Sequence, residues 1–220
     1  MLLAYGGMDS NFASIAHQPK IFVDDHRLRT RDHQREKQSY TAVVKAASAW
    51  MREVSHPASY VNFTEFDQLP LVKDLNQRQI ICLEKEGADL LGHHLERIDG
   101  TSHPHYLYQQ AHPEFQCWID GLSHRKKHDV VLAMLATGSF WTRECFDAVA
   151  EVEEPLPIYV EVYLPTVAHH LGFRVRGYGD QDGFVSPHRD RSYELEGARL
   201  AGAWTVHPVK RIPKTATALR

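Results

Sequence analysis

Two carboxylates separated by a single phenylalanine follow a hydrophobic stretch of the chain. Glu65 and Asp67 occur in "YVNFTEFDQLPL" (60–71), directly after residues 60–64, which are predicted to form a buried strand. Carboxylate oxygens suit hard divalent cations such as Mg²⁺ or Mn²⁺, which take further ligands from substrate phosphates. The spacing indicates a metal site. In the alternative interpretation, Glu65 is a solvated turn residue and Asp67 caps a helix after Pro70.

Further glycines and acids occur where other predicted strands end. The strand predicted over 2–5 is followed by Gly6 and Gly7, and the one over 20–24 ends at Asp24 and Asp25. A third strand, predicted within 129–142, stops at Thr137, Gly138 and Ser139. Ligand sites in open α/β sheets form at the carboxyl ends of the strands. These residues are therefore expected near Glu65 and Asp67, with Gly138 and Ser139 in a strand-to-helix turn. Asp24 and Asp25 could equally be simple turn acids.

Basic residues supply further candidates. Four arginines follow Asp25 closely: Arg27, Arg29, Arg31 and Arg35. They could hold a diphosphate or belong to an ordinary solvated loop. A group of histidines invites comparison with zinc sites: His93, His94, His103, His105 and His112. They lack a nearby cysteine or a defined carboxylate partner, so zinc is not favoured.

A late histidine is the third candidate metal ligand. In "WTVHPVK" (204–210), apolar and polar residues alternate as in a short strand with one packed face, and Pro208 ends the strand after His207. His207 could then point into a cleft, or could be a surface histidine beside a packed tryptophan. A neutral imidazole suits Mn²⁺ better than Mg²⁺, so this ligand would favour manganese.

The elements that position these residues alternate between strand and helix. Helices are predicted over 39–54, 72–86, 143–152 and 157–172, and further strands over 88–95 and 173–179. This alternation predicts an α/β layered fold with a mostly parallel sheet in one domain over 1–220. Residues 96–127 are rich in Gly, His, Pro and aromatic residues, and they are predicted to form an irregular excursion with a mobile part.

Composition limits the classes of partner. The 220 residues are 43% hydrophobic and 24% charged with a net charge of −3, which argues against recruitment of nucleic acid or of an anionic membrane. The three cysteines form no C-x-x-C pair, as expected in a reducing compartment. The start of the chain is unlike a signal peptide, and no apolar run approaches a membrane span of about 18 residues. A cytoplasmic location is expected.

The order of these features resembles the GT-A fold of nucleotide-sugar glycosyltransferases. In that family a D-x-D-type motif closes a central strand and binds the metal that bridges the donor's diphosphate. The segment "TEFD" is at that place, with Glu65 where the family more often has Asp. Many members complete the metal shell with a late histidine, and His207 in "TVHPVK" matches it. Two longer segments are also similar, "LATGSFWTRECFDAV" (135–149) and "VEVYLPTVAHHLGFRV" (160–175).

The resemblance implies a Rossmann-like, mostly parallel central sheet flanked by helices. It implies metal-dependent transfer of a sugar from a UDP- or GDP-linked donor to a glycan or other hydroxyl acceptor, with inversion. Glu65, Asp67 and His207 would bind Mn²⁺ or Mg²⁺, and Glu161 would be the general base. Donor-binding residues would be Gly6, Asp24, Asp25, Arg29, Glu65, Gly138 and Ser139.

Two departures from the family pattern leave alternatives open. E-F-D is not D-x-D, and Glu161 lacks the usual acidic neighbour, so it could simply be an acid favoured at a helix N-terminus. The same acids would also serve a metal-dependent phosphohydrolase or nucleotidyltransferase, or an inactive carbohydrate- or nucleotide-binding module. The chain is short for the family, which allows for a partner chain, self-association or a simple acceptor.

Overall fold

The computed structural model describes residues 1–30, 32–122, 129–153, 158–186 and 194–209, with the backbone alone at 33–37. In these ranges the strands are β1 (Leu3–Tyr5), β2 (Lys20–Phe22), β3 (Tyr60–Phe63), β4 (Leu69–Pro70), β5 (Leu90–Arg97), β6 (Leu132–Thr142), β7 (Val175–Gly177) and β8 (Thr205–Val206). The α-helices are α1 (Asp9–Ser14), α2 (His33–Glu53), α3 (Leu75–Lys85), α4 (Pro104–Gln110), α5 (Pro113–Leu122), α6 (Arg143–Glu151), α7 (Val160–His170) and α8 (Leu195–Leu200). Short 3₁₀ helices cover His26–Arg29 and Gly179–Phe184. None of the helices in the described ranges is both long and apolar enough to cross a bilayer.

The central sheet is small and mixed. Its strand order is β3-β6-β5-β7, in which β6 runs antiparallel to both of its neighbours and only β5 and β7 are parallel. Strands β1 and β2 form a separate parallel pair, and β4 and β8 an antiparallel pair. The α/β combination of sheet and helices agrees with the prediction. The mostly parallel sheet was a wrong prediction, because β6 lies between β3 and β5 and runs opposite to both.

The two sides of β6 pack against different clusters. Since successive residues of a strand point to opposite faces, Trp141 joins the large cluster that includes α2, α6 and α7, and Phe140 joins a smaller cluster with α3. Helix α7 is buried along almost its whole length, as expected for a helix that is apolar on all sides. The larger cluster therefore fixes one face of the sheet. The other face carries more polar side chains.

The predicted irregular region contains two helices. Strand β5 extends to Arg97, and helices α4 and α5 follow, while residues 123–127 lie outside the described part of the chain. Pro104 occupies the first turn of α4, where its missing N–H costs nothing, and His103 Nδ1 caps the helix. Helix α5 buries Phe115, Trp118 and Ile119 at helical spacing. The prediction of irregular structure was wrong for both segments.

Strand β6 does not stop at Gly138. It continues to Thr142, and the hydroxyl of Thr142 accepts a hydrogen bond from the Cys145 N–H to cap α6. Gly138 and Ser139 therefore lie inside a strand, and the predicted strand-to-helix turn at these two residues is wrong. The strand is irregular at this point: Leu91 pairs with Phe140 but His93 pairs with Leu135, so the two strands lose register between these pairs.

Candidate metal centre

A tight turn after β3 carries the two candidate carboxylates. The Gln68 N–H donates to the Glu65 carbonyl at 3.2 Å, which closes the turn. Thr137 on β6 holds it in place: its hydroxyl accepts from the Glu65 N–H at 3.0 Å and donates to Gln68 Oε1 at 2.8 Å. The Thr64 hydroxyl donates to the same Gln68 oxygen at 2.8 Å. The backbone that positions Glu65 and Asp67 is thus fixed by hydrogen bonds on both sides.

The irregular part of β6 makes room for this turn. Gly138 has a φ of +75°. This left-handed backbone conformation is strained for residues that carry a Cβ and is accessible to glycine. A Cβ at Gly138 would overlap the Gln68 amide. On the other side, the Tyr178 hydroxyl donates to the Gly138 carbonyl at 3.1 Å. Glycine at this position is therefore explained by the close approach of Gln68.

His207 reaches the same place through two backbone pairings. Strand β8 pairs with β4, which places Val206 opposite Leu69, and the Val209 N–H donates to the Asp67 carbonyl at 2.8 Å. On its other side His207 forms a bridge with Val185. These pairings hold the end of β8 beside the turn that carries Asp67.

The three candidate ligands lie together. One potential ligand atom from each of Glu65, Asp67 and His207 lies within 4.8 Å of the other two. Two ligands that are each about 2.1 Å from an ion are about 3 to 4 Å apart, so small side-chain rotations would complete such a site. No other set of three histidine, cysteine or carboxylate side chains comes this close within the described ranges. We call Glu65, Asp67 and His207 the triad.

The orientation of the His207 ring determines which nitrogen faces the carboxylate. Nδ1 lies 3.0 Å from the Ser186 carbonyl, which can only accept, so Nδ1 carries a proton and donates it. Nε2 lies 3.3 Å from Asp67 Oδ1. In a neutral ring, both facing atoms would present lone pairs and repel each other unless a cation lies between them. The geometry fits a cation held between His207 and Asp67, or a protonated imidazole paired with the carboxylate.

The alternative role for Asp67 as a helix cap is wrong. Asp67 is 7% exposed, and the element that follows it is strand β4. The next helix, α3, begins only at Leu75 with Asp74 at its N-cap position. The burial of Asp67 beside an imidazole is more consistent with a site than with a solvated turn.

The residues predicted near the ends of β1 and β2 form a separate group. Arg29 contacts the Asp24 carboxylate at 2.5 Å and donates to the Gly7 carbonyl at 3.1 Å. An open groove of about 500 Å³ is lined by Met8, Asp9, Phe22, Asp24 and Arg29. Because β1 and β2 form their own sheet, this groove is not at the edge of the sheet that carries Glu65. The expectation of a single shared edge was wrong.

Asp25 and Gly6 have structural roles beside this groove. Asp25 caps the 3₁₀ helix that begins at His26, and it pairs with Arg27 at 2.6 Å. The hydrogen bond from Arg27 lowers the pKa of the Asp25 carboxyl below its usual range. A side chain at Gly6 would overlap Leu28. Arg31 and the side chain of Arg35 lie outside the described part of the chain.

Ser139 and Glu161 are both buried away from solvent. The Ser139 hydroxyl donates to the Ala136 carbonyl at 2.6 Å and accepts from Trp141 Nε1 at 2.9 Å, so it is used inside the protein. Glu161 lies in the first turn of α7, where a carboxylate is favoured by the helix dipole, and is 8% exposed. Its role as a general base remains a prediction.

A buried polar network lies on the side of β5 and β6 opposite the large cluster. His93 Nδ1 donates to Asp182 at 2.9 Å, and the His93 ring stacks on Tyr178 at 4.3 Å. Gln79 donates to the Tyr178 hydroxyl at 3.0 Å and accepts from Asn62 at 3.0 Å. Burial raises the pKa of Tyr178 and lowers that of His93. Both side chains are therefore neutral near pH 7.

Three residues of the site were not predicted from the sequence: Gln68, Thr137 and Ser186. Gln68 closes the turn from three positions after Glu65, and its polar character at that position is the only local signal for its role. Thr137 acts from a different strand, and Ser186 acts through its backbone carbonyl. Neither contribution leaves a sequence pattern.

No protein-family model matches the chain, and no curated protein matches it significantly. The function has to be inferred from the site itself.

Proposed function

We propose that the protein is a metal-dependent glycosyltransferase of GT-A type, which transfers a sugar from a nucleotide diphosphate donor to a hydroxyl acceptor. The observation that supports this most is the triad. The strand-end E-x-D, which stands where the resembled family has D-x-D, and a histidine 140 positions after Asp67 lie within ligand distance of each other. The sheet is smaller and more antiparallel than the family resemblance implied, so the proposal depends on the site.

In this proposal Asp67 and Glu65 bind Mn²⁺ or Mg²⁺ through carboxylate oxygens and His207 through Nε2. The ion would stabilise the negative charge that develops on the departing nucleoside diphosphate. The Ser186 carbonyl keeps the His207 ring in the tautomer that presents Nε2. Thr137 and Gln68 hold the turn, so the backbone that carries the carboxylates is already in place before a ligand arrives.

The donor and the base have weaker structural support. Asp24 and Arg29 line a groove beside a different sheet from the triad and pair with each other there, so their role in binding the donor stays a prediction. Glu161 is proposed as the base that takes the proton of the acceptor hydroxyl. Its burial in α7 requires that the acceptor reaches the first turn of that helix.

The proposal is tested by comparing the Mn²⁺-dependent affinity of the Asp67→Asn variant for nucleoside diphosphates with that of the parent. The substitution keeps the size of the side chain but removes a charge, so we expect binding of UDP or GDP with Mn²⁺ to fall at least about tenfold, to the level without metal. Glu84→Gln on the exposed side of α3 is the matched control and should bind like the parent. Binding by Asp67→Asn that equals the parent's would remove the triad as the metal site.

The released product separates this proposal from the related enzyme classes. Incubation of the parent with a nucleotide sugar and Mn²⁺ should release nucleoside diphosphate, slowly without an acceptor and faster with one. Release of nucleoside monophosphate or pyrophosphate would instead indicate a phosphohydrolase or nucleotidyltransferase. Binding without any turnover, over a panel of donors and acceptors, would indicate a binding module.

A further inference from the structure

Phe66, between the two candidate carboxylates, is 100% exposed. It lies at the tip of the turn that the Gln68 N–H closes, between the half-buried Glu65 and the buried Asp67. Other large apolar side chains of the described chain are exposed, but no other reaches full exposure. A phenylalanine that buries no surface contributes nothing to the hydrophobic core.

The backbone on both sides of Phe66 is held by hydrogen bonds, although the Phe66 side chain lies outside the core. The residues on either side of it are held by Thr137 through the Glu65 N–H and by Val209 through the Asp67 carbonyl. Gln68 is held in turn by Thr64 and Thr137. The ring therefore projects from a fixed point, which lowers the conformational cost of using it for binding.

The neighbouring carboxylates determine which part of a ligand would contact the Phe66 ring. An ion held by Glu65, Asp67 and His207 takes its remaining ligands from phosphate oxygens. The Asp67 and His207 side chains are only 5% and 12% exposed, so groups attached to those phosphates would lie on the exposed side of the site, where the turn carries Phe66. Aromatic rings bind the flat or C–H-rich face of another ring through stacking.

We propose that Phe66 is a specificity-determining residue that stacks on the ring of the metal-bound phosphate ester. This inference rests on the proposed metal site and extends it to the class of ligand. Phosphate esters that carry a nucleoside or a sugar ring would bind more tightly than pyrophosphate, which offers only the phosphates. Discrimination comes from Phe66, and attachment to the metal from the triad.

Phe66→Ala is tested by calorimetry with Mn²⁺ and three ligands: pyrophosphate, UDP and UDP-glucose. We expect an unchanged affinity for pyrophosphate and a loss of about five- to 100-fold for ligands with the ring, in line with the usual effect of removing a stacking partner. If Phe66→Ala loses affinity for both UDP and UDP-glucose, the nucleoside stacks on Phe66. If it loses affinity for UDP-glucose alone, the sugar stacks there. Phe66→Trp should retain the affinity, because it keeps an aromatic face. Leu200→Ala removes another exposed apolar side chain and should change nothing.

Two results would overturn the inference. One is an equal affinity of Phe66→Ala and the parent for all three ligands. The other is a parent that binds UDP and UDP-glucose no more tightly than pyrophosphate. Failure of the metal site itself is distinguishable: the parent would then bind pyrophosphate equally with and without Mn²⁺, whatever residue occupies position 66.

Discussion

At the residue scale, His207 is the side chain whose surroundings constrain its chemistry most. The Ser186 carbonyl fixes the proton on Nδ1, so only Nε2 can act toward Asp67. The backbone of His207 is also held, since its N–H donates to the Phe184 carbonyl and its carbonyl accepts from the Ser186 N–H. The alternative interpretation of His207, a surface histidine beside a packed tryptophan, does not account for a ring that faces the Ser186 carbonyl with Nδ1 and Asp67 with Nε2.

Replacing His207 with alanine should weaken Mn²⁺ binding by about tenfold or more, measured with a nucleoside diphosphate present. The loss should be smaller for Mg²⁺, because an imidazole nitrogen favours Mn²⁺ and contributes less to Mg²⁺ affinity. Isothermal titration with each metal measures both changes. His17→Ala, a change at a histidine outside the triad, provides the control. Unchanged affinities would exclude Nε2 as a ligand, and equal losses for the two metals would contradict the preference for Mn²⁺.

At the element scale, the irregular part of β6 positions the turn that carries the carboxylates. Between Leu135 and Phe140 the strand leaves the register of β5, and this is where Thr137 meets Glu65 and Gln68. A regular strand would not allow the turn to approach so closely. The left-handed conformation of Gly138 and the proximity of the Gln68 amide both require glycine.

Gly138→Ala should destabilise the protein by about 1 to 3 kcal/mol through backbone strain, with a further cost from displacing Gln68. Because Gln68 holds the turn, Mn²⁺ affinity should fall as well. Gly100→Ala is the matched control: Gly100 has a φ of +71° but nothing within 4 Å of an added Cβ. Gly100→Ala should lower the unfolding free energy through backbone strain alone and leave the Mn²⁺ affinity unchanged. Denaturant unfolding and metal titration of both variants measure the difference, and an equal effect of both substitutions on metal affinity would contradict this role of β6.

Local patterns predicted most elements but not their directions. The strand predicted at 60–64 followed from its buried hydrophobic run, and the strand end at His207 from side-chain alternation, which reflects one packed face. The orientation of β6 depends on which strands it joins, which no local pattern records. Helices α4 and α5 went unrecognised because Gly, His and Pro dominate the region, although Phe115, Trp118 and Ile119 carry helical spacing.

The same limit applies to the candidate site. Residue types identified Glu65, Asp67 and His207, and their convergence in the structure depends on β8 pairing with β4. The predicted neighbours Asp24 and Arg29 follow β2, which pairs with β1 in another sheet. That separation depends on long-range packing, and the spacing of acids and glycines along the chain does not encode it.

At the scale of the whole molecule, the segment around 182–186 connects two groups of histidines. Asp182 accepts from His93, the Val185 carbonyl contacts His94, and the Ser186 carbonyl accepts from His207. The chain contains fifteen histidines, so its stability should vary near neutral pH. A histidine contributes to this variation where its pKa differs between the folded and unfolded states, as burial causes at His93.

His93 should make the protein less stable as the pH falls. Its side chain is 2% exposed. Burial lowers its pKa below the ordinary value of 6.5, and the nearby His94 and His207 lower it further, while the hydrogen bond to Asp182 opposes them. The unfolded chain therefore takes up this proton at a higher pH than the folded protein. The stability due to neutral His93 is present above pH 6.5 and is lost as the pH falls from there through the folded-state pKa, at no more than about 1.4 kcal/mol per pH unit.

His93→Gln removes this titration and keeps a donor for Asp182. Between pH 7 and 5 its unfolding free energy, measured by urea denaturation, should fall less steeply than that of the parent. His26→Gln provides the control: the His26 side chain is 92% exposed, so this variant should follow the parent. Parallel curves for His93→Gln and the parent over this range would mean that His93 is protonated as readily in the folded protein as in the unfolded chain, and that Asp182 offsets the cost of its burial.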